Sequence, residues 1–293
     1  MRHIRIAALL AAAAAAATLA GPLAAQAPVA ASAQGNATKG NAAAETAAKL
    51  DAAIAGPHRT EAARARDQYR NPKETLLFFG LTPDKTVVEI LPGAGWYTDI
   101  IAPVVKERGR FLAAHNNPAG SENAVKQREA FRARTEAHPE QLGGVVLTSF
   151  GRGIEGAIAP AGSADMVLTF RNVHNWIGGG FADDAFKAFY AALKPGGVLG
   201  VVEHRMPEDR EDSEAGRRSG YMKQSDVIRM AEAAGFRLDA TSEVNANPRD
   251  TADHPKGVWT LPPNLAMGDA DREKYLAIGE SDRMTLRFVK PAA

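Results

Sequence analysis

The chain has 293 residues, 45% hydrophobic and 24% charged, with no cysteine, which excludes a disordered, collagenous or disulfide-stapled protein and leaves a globular one of about one domain. With 35 Lys and Arg against 34 Asp and Glu the formal net charge is +1, so no electrostatic excess points to nucleic acid or to an anionic membrane. A small-molecule or protein partner is expected.

At the N-terminus, Arg2, His3 and Arg5 precede an apolar, alanine-rich run over residues 6–19, and Ala25-Gln26-Ala27 offers small residues at the two positions a signal peptidase reads. Residues 1–27 therefore read as a cleaved secretory signal; the apolar run is short of the roughly 20 residues that span a bilayer. Cleavage predicts a periplasmic or secreted protein with no stable membrane insertion afterwards. Residues 28–57 read as a flexible leader with a short alanine-rich helix over 42–54, ended by Gly56-Pro57, and residues 58–293 as one domain.

The domain opens with Asn71-Pro72 as N-cap and first-turn proline, Glu74 at the third helical position, an apolar face of Leu76, Leu77, Phe78 and Phe79, and Gly80 as the stop. Residues 86–91 are a β-branched, buried strand, followed by the turn Pro92-Gly93-Ala94-Gly95 and a helix over 96–106. Glycines let the backbone approach a ligand, the helix start presents unpaired amides, and Glu89 can accept hydrogen bonds from a ribose or an amine. Tight strand-to-helix turns also use Gly-x-Gly for steric reasons alone, so the turn by itself leaves both readings open.

Alternation continues with strands over 110–114, 145–148 and 164–170 and a polar helix over 124–137. An amphipathic helix over 181–193 is followed by Lys194-Pro195-Gly196-Gly197 as helix stop and turn, then by a buried strand over 198–203. A helix over 225–234, capped by Ser225 and closed by Gly235, precedes strands over 236–242 and 285–290. This order predicts a mostly parallel sheet with helices on both faces. Residues 247–284, with Pro248, Pro255, Pro262 and Pro263, show no sustained period; so long a connection is either a cover for a site or a loose surface loop. Asp250, Asp253 and His254 within it read as solvated surface, and no metal site is expected.

Residues 87–98, residues 165–176, the run Leu193-Lys194-Pro195-Gly196-Gly197-Val198 with Glu203, and the turn Ala233-Ala234-Gly235-Phe236 together resemble the class I S-adenosylmethionine-dependent methyltransferases, over about 70–290. The start Arg66-Asp67-Gln68-Tyr69-Arg70-Asn71-Pro72 and the ending Arg287-Phe288-Val289-Lys290-Pro291 are similar to an exported bacterial subgroup of that family. The resemblance implies an α/β, Rossmann-like three-layer sandwich whose seven-stranded sheet is mostly parallel with the last strand antiparallel. It implies S-adenosylmethionine as cofactor and methyl transfer to an unidentified small-molecule acceptor. Cofactor contacts then fall at Glu89, Gly93, Ala94, Gly95, His115, Asn116, Phe150, Arg171 and Asn172.

Methyl transfer needs alignment and, for a protonated acceptor, a base. His174, after the fourth strand, is the first candidate, with Glu203 and His204 on the same rim as second choices; a structural histidine and a carboxylate orienting it are the competing readings. Trp96 and Tyr97 are expected to pack the first helix on the sheet. Three positions depart from the family pattern. Leu91 stands where a glycine is usual, His115-Asn116 where an acid holds the ribose, and Ser149-Phe150-Gly151 where an acid meets the adenine amine. These departures keep an alternative open: a non-catalytic relative that uses the fold as a ligand-binding or interaction module in the periplasm.

Overall fold

The computed structural model describes residues 31–152, 158–211 and 213–292. Residues 40–293 form one compact unit; of the preceding unit, only helical residues 31–39 are described, and the expected signal segment lies outside the described residues. No helix among the described residues is long and apolar enough to cross a membrane.

The expected strand segments become β1 (Thr86–Ile90), β2 (Arg110–Asn116), β3 (Val145–Phe150), β4 (Ala164–Phe170), β5 (Leu193–Met206), β7 (Arg237–Ser242) and β8 (Arg283–Val289), joined by a short β6 (Met222–Lys223) that the sequence did not predict. The main sheet runs β3-β2-β1-β4-β5-β8-β7, with β6 paired to β5 off this path. Strands β1 to β5 pair in parallel, while β8 is antiparallel to both β5 and β7. This is the seven-stranded, mostly parallel Rossmann-like sheet that the sequence led us to expect, with the antiparallel strand last in the chain.

Both faces of the central strands are buried, and the two-residue period assigns alternate side chains to two cores. Val88, Ile90, Leu112, Ala114 and Val167 meet Trp176, Phe186 and Phe189 on one face. Val87, Phe111, Ala113, Met166 and Leu168 meet Leu76, Phe79, Ile101 and Phe131 on the other. Helices Val173–Gly178, Ala182–Ala192 and Gln224–Ala233 cover the first face; Pro72–Phe79, Thr98–Val105 and Glu122–Ala137 cover the second. The result is three layers, helix on sheet on helix.

Several local expectations are corrected. The first helix runs Ala31–Ile54, longer than the 42–54 expected, and Leu50 and Ala53 are buried in the second core, so the compact unit takes in much of what reads as a leader. Asn71 adopts a left-handed conformation and its side chain donates to the Val244 carbonyl at 2.7 Å instead of capping the helix. Ser225 lies inside its helix, bonded through its amide and hydroxyl to Glu208, and the N-cap position is Lys223. The helix does stop just before Lys194, at Ala192, but residues Lys194 to Gly197 are not a free turn: β5 begins at Leu193 and passes through a bulge, held because Gly196 and Gly197 exchange backbone hydrogen bonds with Lys290. The connection between β7 and β8 contains a 3-10 turn, Gly257–Thr260, and a helix, Arg272–Ile278, which buries Tyr275.

Candidate functional site

After β1 the chain reaches β2 on one side, and after β3 it returns to β4 on the other. The sheet order therefore reverses between β1 and β4, which is where open α/β sheets form a crevice at the carboxyl ends of their strands. Each of these two strands is followed by a non-glycine residue in the left-handed region, Leu91 at φ 49° and Arg171 at φ 63°. Each donates its amide to the neighbouring strand, Leu91 to the Ala114 carbonyl at 2.9 Å and Arg171 to Val202 at 2.7 Å, before the chain turns off the sheet. That conformation costs an ordinary side chain roughly 1–2 kcal/mol, so the surrounding structure imposes it. Leu91 thus retains the backbone path that glycine usually supplies in the family, while its side chain packs partly buried against the first core.

Beyond Leu91, Gly93 at φ 60° and Gly95 at φ 89° complete the turn. Gly93 and Ala94 are exposed, and a side chain added at Gly93 would meet nothing within 4 Å, so the backbone is open to an approaching group there. At Gly95 an added Cβ would stand 3.0 Å from Arg134 Nη1 and 3.2 Å from the Phe131 ring, because the helix Glu122–Ala137 closes over that side.

Of the remaining residues that the resemblance assigns to the cofactor, all but Arg171, which lines a cavity on the β4–β5 side, are engaged within the protein. Glu89 is buried and accepts from the Thr98 hydroxyl at 2.6 Å; burial, outweighing that hydrogen bond, pushes its carboxyl up to about 8. His115 is buried, takes the Asn116 amide on Nδ1 at 2.8 Å and lies 3.1 Å through Nε2 from the Gly93 carbonyl, so it fastens the turn to β2. Asn116 bonds to Gln127 at 2.7 Å. Asn172 bridges the crevice, donating to the Ile90 carbonyl at 3.1 Å and the Thr169 hydroxyl at 3.2 Å. Phe150 is buried among Trp176, Phe181 and Phe189. Tyr97 stacks on Phe170 with ring centroids 3.5 Å apart, and Trp96 is flanked by the Arg59 and Arg70 guanidiniums, so both pack as expected.

On the β4–β5 side the three catalytic candidates meet. Glu203 is fully buried at the end of β5. One of its oxygens accepts from the Val173 amide at 2.6 Å and, more weakly, the His174 amide at 3.4 Å; the other accepts from the His204 amide at 2.8 Å and lies 3.0 Å from His174 Nδ1. The carboxylate therefore caps the helix that carries His174 and fixes that ring with the proton on Nδ1. Nε2 is left as an acceptor with no hydrogen-bond partner among the described residues. His204 bonds through Nδ1 to the Ser281 hydroxyl at 2.5 Å, and burial followed by the Arg283 charge holds it well below the ordinary histidine range, so it is neutral.

His174 faces a cavity of about 210 Å³ lined also by Arg171, Asn175, His204 and Arg283, and roofed by Val258, Trp259, Pro262, Pro263 and Asn264 from the long β7–β8 connection. The connection thus covers a cavity. His174, Glu203 and His204 offer ligand atoms within 4.8 Å of one another, the spacing of a metal-ligand set. The setting opposes a cation: Glu203 is already occupied by N–H donors, and guanidiniums adjoin. Asp250, read from sequence as solvated, is instead a buried hub that accepts from the Tyr221 hydroxyl, His254 Nε2 and the amides of Ala252 and Asp282. Asp253 is exposed and pairs only with Thr251.

Sequence reasoning did not single out Arg283, Ser281 or Trp259. The strand that Arg283 opens also carries Thr285 and Arg287, so its charge gave no distinct signal.

No protein-family profile matches the sequence, and no curated protein matches it. Solved structures do share its architecture. A SAM dependent methyltransferase from Aquifex aeolicus is 18% identical with a TM-score of 0.51, covering 77% of this chain and 93% of that one. The cyclase SpnF is 18% identical with a TM-score of 0.54, covering 82% and 86%. Likeness at this identity carries the fold: the chain has the class I, Rossmann-like fold of the S-adenosylmethionine-dependent methyltransferases.

Proposed function

We propose that this protein transfers a methyl group from S-adenosylmethionine to a small-molecule acceptor. The observation that carries the reading is the placement, on the two sides of one topological switch, of an open glycine turn and a carboxylate-oriented histidine facing a roofed cavity. The turn fits the donor: its backbone is exposed at Gly93 and Ala94, and Leu91 preserves the left-handed path. At the end of β2 there is no carboxylate for a ribose, so the amide of Asn116 would meet it, at the expense of the bond to Gln127.

When bound, S-adenosylmethionine supplies an electrophilic methyl on a sulfonium. The protein's part is alignment, exclusion of water and one proton. His174 Nε2 accepts the proton of an acceptor hydroxyl or amine; Glu203, on the other ring nitrogen, stabilises the resulting imidazolium without needing to be protonated itself. Glu89, neutral below about pH 8, ionises when a cationic amine arrives beside it. Calorimetry with S-adenosylmethionine on the folded mature protein tests the reading, with micromolar or weaker binding expected; no heat at millimolar donor would sink it.

The second reading, a binding module without catalysis, is favoured by one observation: His115 and Asn116, which stand where the family places its ribose acid, are both engaged internally. Donor binding without methyl transfer to any acceptor would support it. We also propose export, with the mature chain starting at Pro28 after the Ala25-Gln26-Ala27 site, as in the exported bacterial subgroup. Mass spectrometry of protein from its host tests this, and an intact N-terminus would refute it.

A further inference from the structure

Behind the cavity lies a concentration of buried positive charge that methyl transfer as such does not require. Arg66, Arg70 and Arg283 all hydrogen-bond to one carboxylate, Glu280, which is itself buried. Burial alone would raise that carboxyl, yet Arg283 and Arg70 hold it well below the usual range. Arg171 stands close enough that burial and then the Arg283 charge pull its guanidinium down to about 10, and it makes no side-chain hydrogen bond to a described residue. Three guanidiniums thus share a single carboxylate. Both terminal nitrogens of Arg70, whose guanidinium lies over the Trp96 ring, one of Arg66 and Nε of Arg283 are buried with no hydrogen-bond partner among the described residues; of these three arginines Arg283 is the one that lines the cavity.

Buried donors without acceptors are costly, and several like charges in one low-dielectric place cost more. A structure retains such a set where something completes it. An oxyanion in the cavity would complement Arg171 and the orphaned Nε of Arg283, because guanidinium forks match carboxylate and phosphate oxygens in geometry as well as charge. Arg171 and Arg283 both line the cavity that His174 and His204 face. Its size admits a molecule of roughly ten non-hydrogen atoms, small beside ordinary ligand pockets of roughly 300–1,000 Å³. Trp259, Pro262 and Pro263 give it an apolar wall.

We propose that this cavity takes a small organic anion, carboxylate- or phosphate-bearing, held by Arg171 and Arg283 with its methyl-accepting group toward His174. Naming the anion as the acceptor rests on the methyl-transfer reading; oxyanion binding itself does not. The donor's own amino-acid carboxylate is the other possible source of an oxyanion, and the test separates the two.

The experiment titrates malonate and inorganic phosphate, against sodium chloride at equal ionic strength, into the full mature chain, with calorimetry and thermal unfolding as readouts. Millimolar binding that raises the unfolding temperature is expected. Arg171→Gln weakens it about tenfold or more, and Arg171→Lys, which keeps charge and fold but loses the fork, weakens it several-fold. Saturating S-adenosylhomocysteine leaves anion affinity within about twofold. Anion binding abolished by S-adenosylhomocysteine would assign the arginines to the donor and overturn the acceptor proposal. No specific binding at tens of millimolar, or equal binding by wild type and both variants, would overturn oxyanion recognition altogether. Anion binding by a protein that binds no S-adenosylmethionine would leave the oxyanion site standing and remove the methyl-transfer reading.

Discussion

The two sides of the crevice are built on opposite principles. On the β1–β2 side, polar side chains are used up within the protein: Glu89 on Thr98, His115 on Gly93, Asn116 on Gln127. On the β4–β5–β8 side, donors and acceptors are left over: His174 Nε2, the Arg171 fork and the orphaned nitrogens of Arg70 and Arg283. The first side offers a ligand chiefly main chain, at Gly93 and Ala94, while the second offers oriented side chains around a cavity. Recognition by main chain tolerates sequence drift, which explains how Leu91 can replace a glycine while the turn keeps its shape. Recognition by side chains does not, so under the proposed methyl transfer the choice of acceptor would fall on the second side.

The largest effect expected from breaking this division is at Glu203. Glu203→Ala removes the acceptor for three amides and the His174 ring in a buried place, and should destabilise the protein by about 3 kcal/mol or more, measured by denaturant unfolding. A loss under about 1 kcal/mol would show that water replaces the carboxylate and that the capping role is minor.

Glu89 marks the other side through pH. Its folded pKa of about 8 lies above the ordinary 4.5, so the folded state keeps a proton that the unfolded chain releases. The associated stability is fully present below pH about 4.5 and is lost as pH rises through about 8, a difference on the order of a few kcal/mol. Glu89→Gln should therefore gain on wild type progressively across that window. Parallel pH profiles for the two proteins would contradict a buried, protonated Glu89.

His174→Ala should lower methyl turnover by about 10²-fold, or roughly 2.7 kcal/mol of activation free energy, with donor affinity unchanged. If donor affinity falls as well, the two sides are not separable. The smallest effect is at Gly93: Gly93→Ala meets no clash, costs about 1 kcal/mol for its left-handed backbone, and should weaken donor binding about tenfold in calorimetry. Gly95→Val is a poorer probe, since it crowds Arg134 and Phe131 whether or not a ligand is present.

The division was partly legible in the sequence. The main strands were, because a strand buried on both faces is a short, nearly continuous apolar run that is written locally, as in 164–170. His174 and Glu203 were legible as rim residues, but their hydrogen bond was not, since 29 residues separate them and only the β4–β5 pairing brings them together. The arginine set was missed for the same reason: Arg70 and Glu280 lie 210 residues apart. Asp250 was misread because its neighbours in the chain are polar and proline-rich, while the group that buries it, Tyr221, comes from 29 residues earlier. The bulge at Lys194 to Gly197 reads as a turn because its partner, Lys290, lies far along the chain. Local composition reports local conformation; it is silent on partners supplied from a distance.

The Asp250 hub has a mechanical consequence. Asp250 is tied to Tyr221, His254 and the Asp282 amide, and Asn247 donates to the carbonyls of Ile278 and Glu280. Both ends of the roof are therefore stapled to each other and to the residues leading into β8, much as a hatch is hung on paired pins. If the stretch carrying Trp259 and the prolines moves to admit a molecule, it moves between those pins, while Glu203 keeps the floor, and His174 with it, in place. Amide exchange confined to the interval between the pins, with Asn247 and Asp282 protected, is the signature of such a hatch.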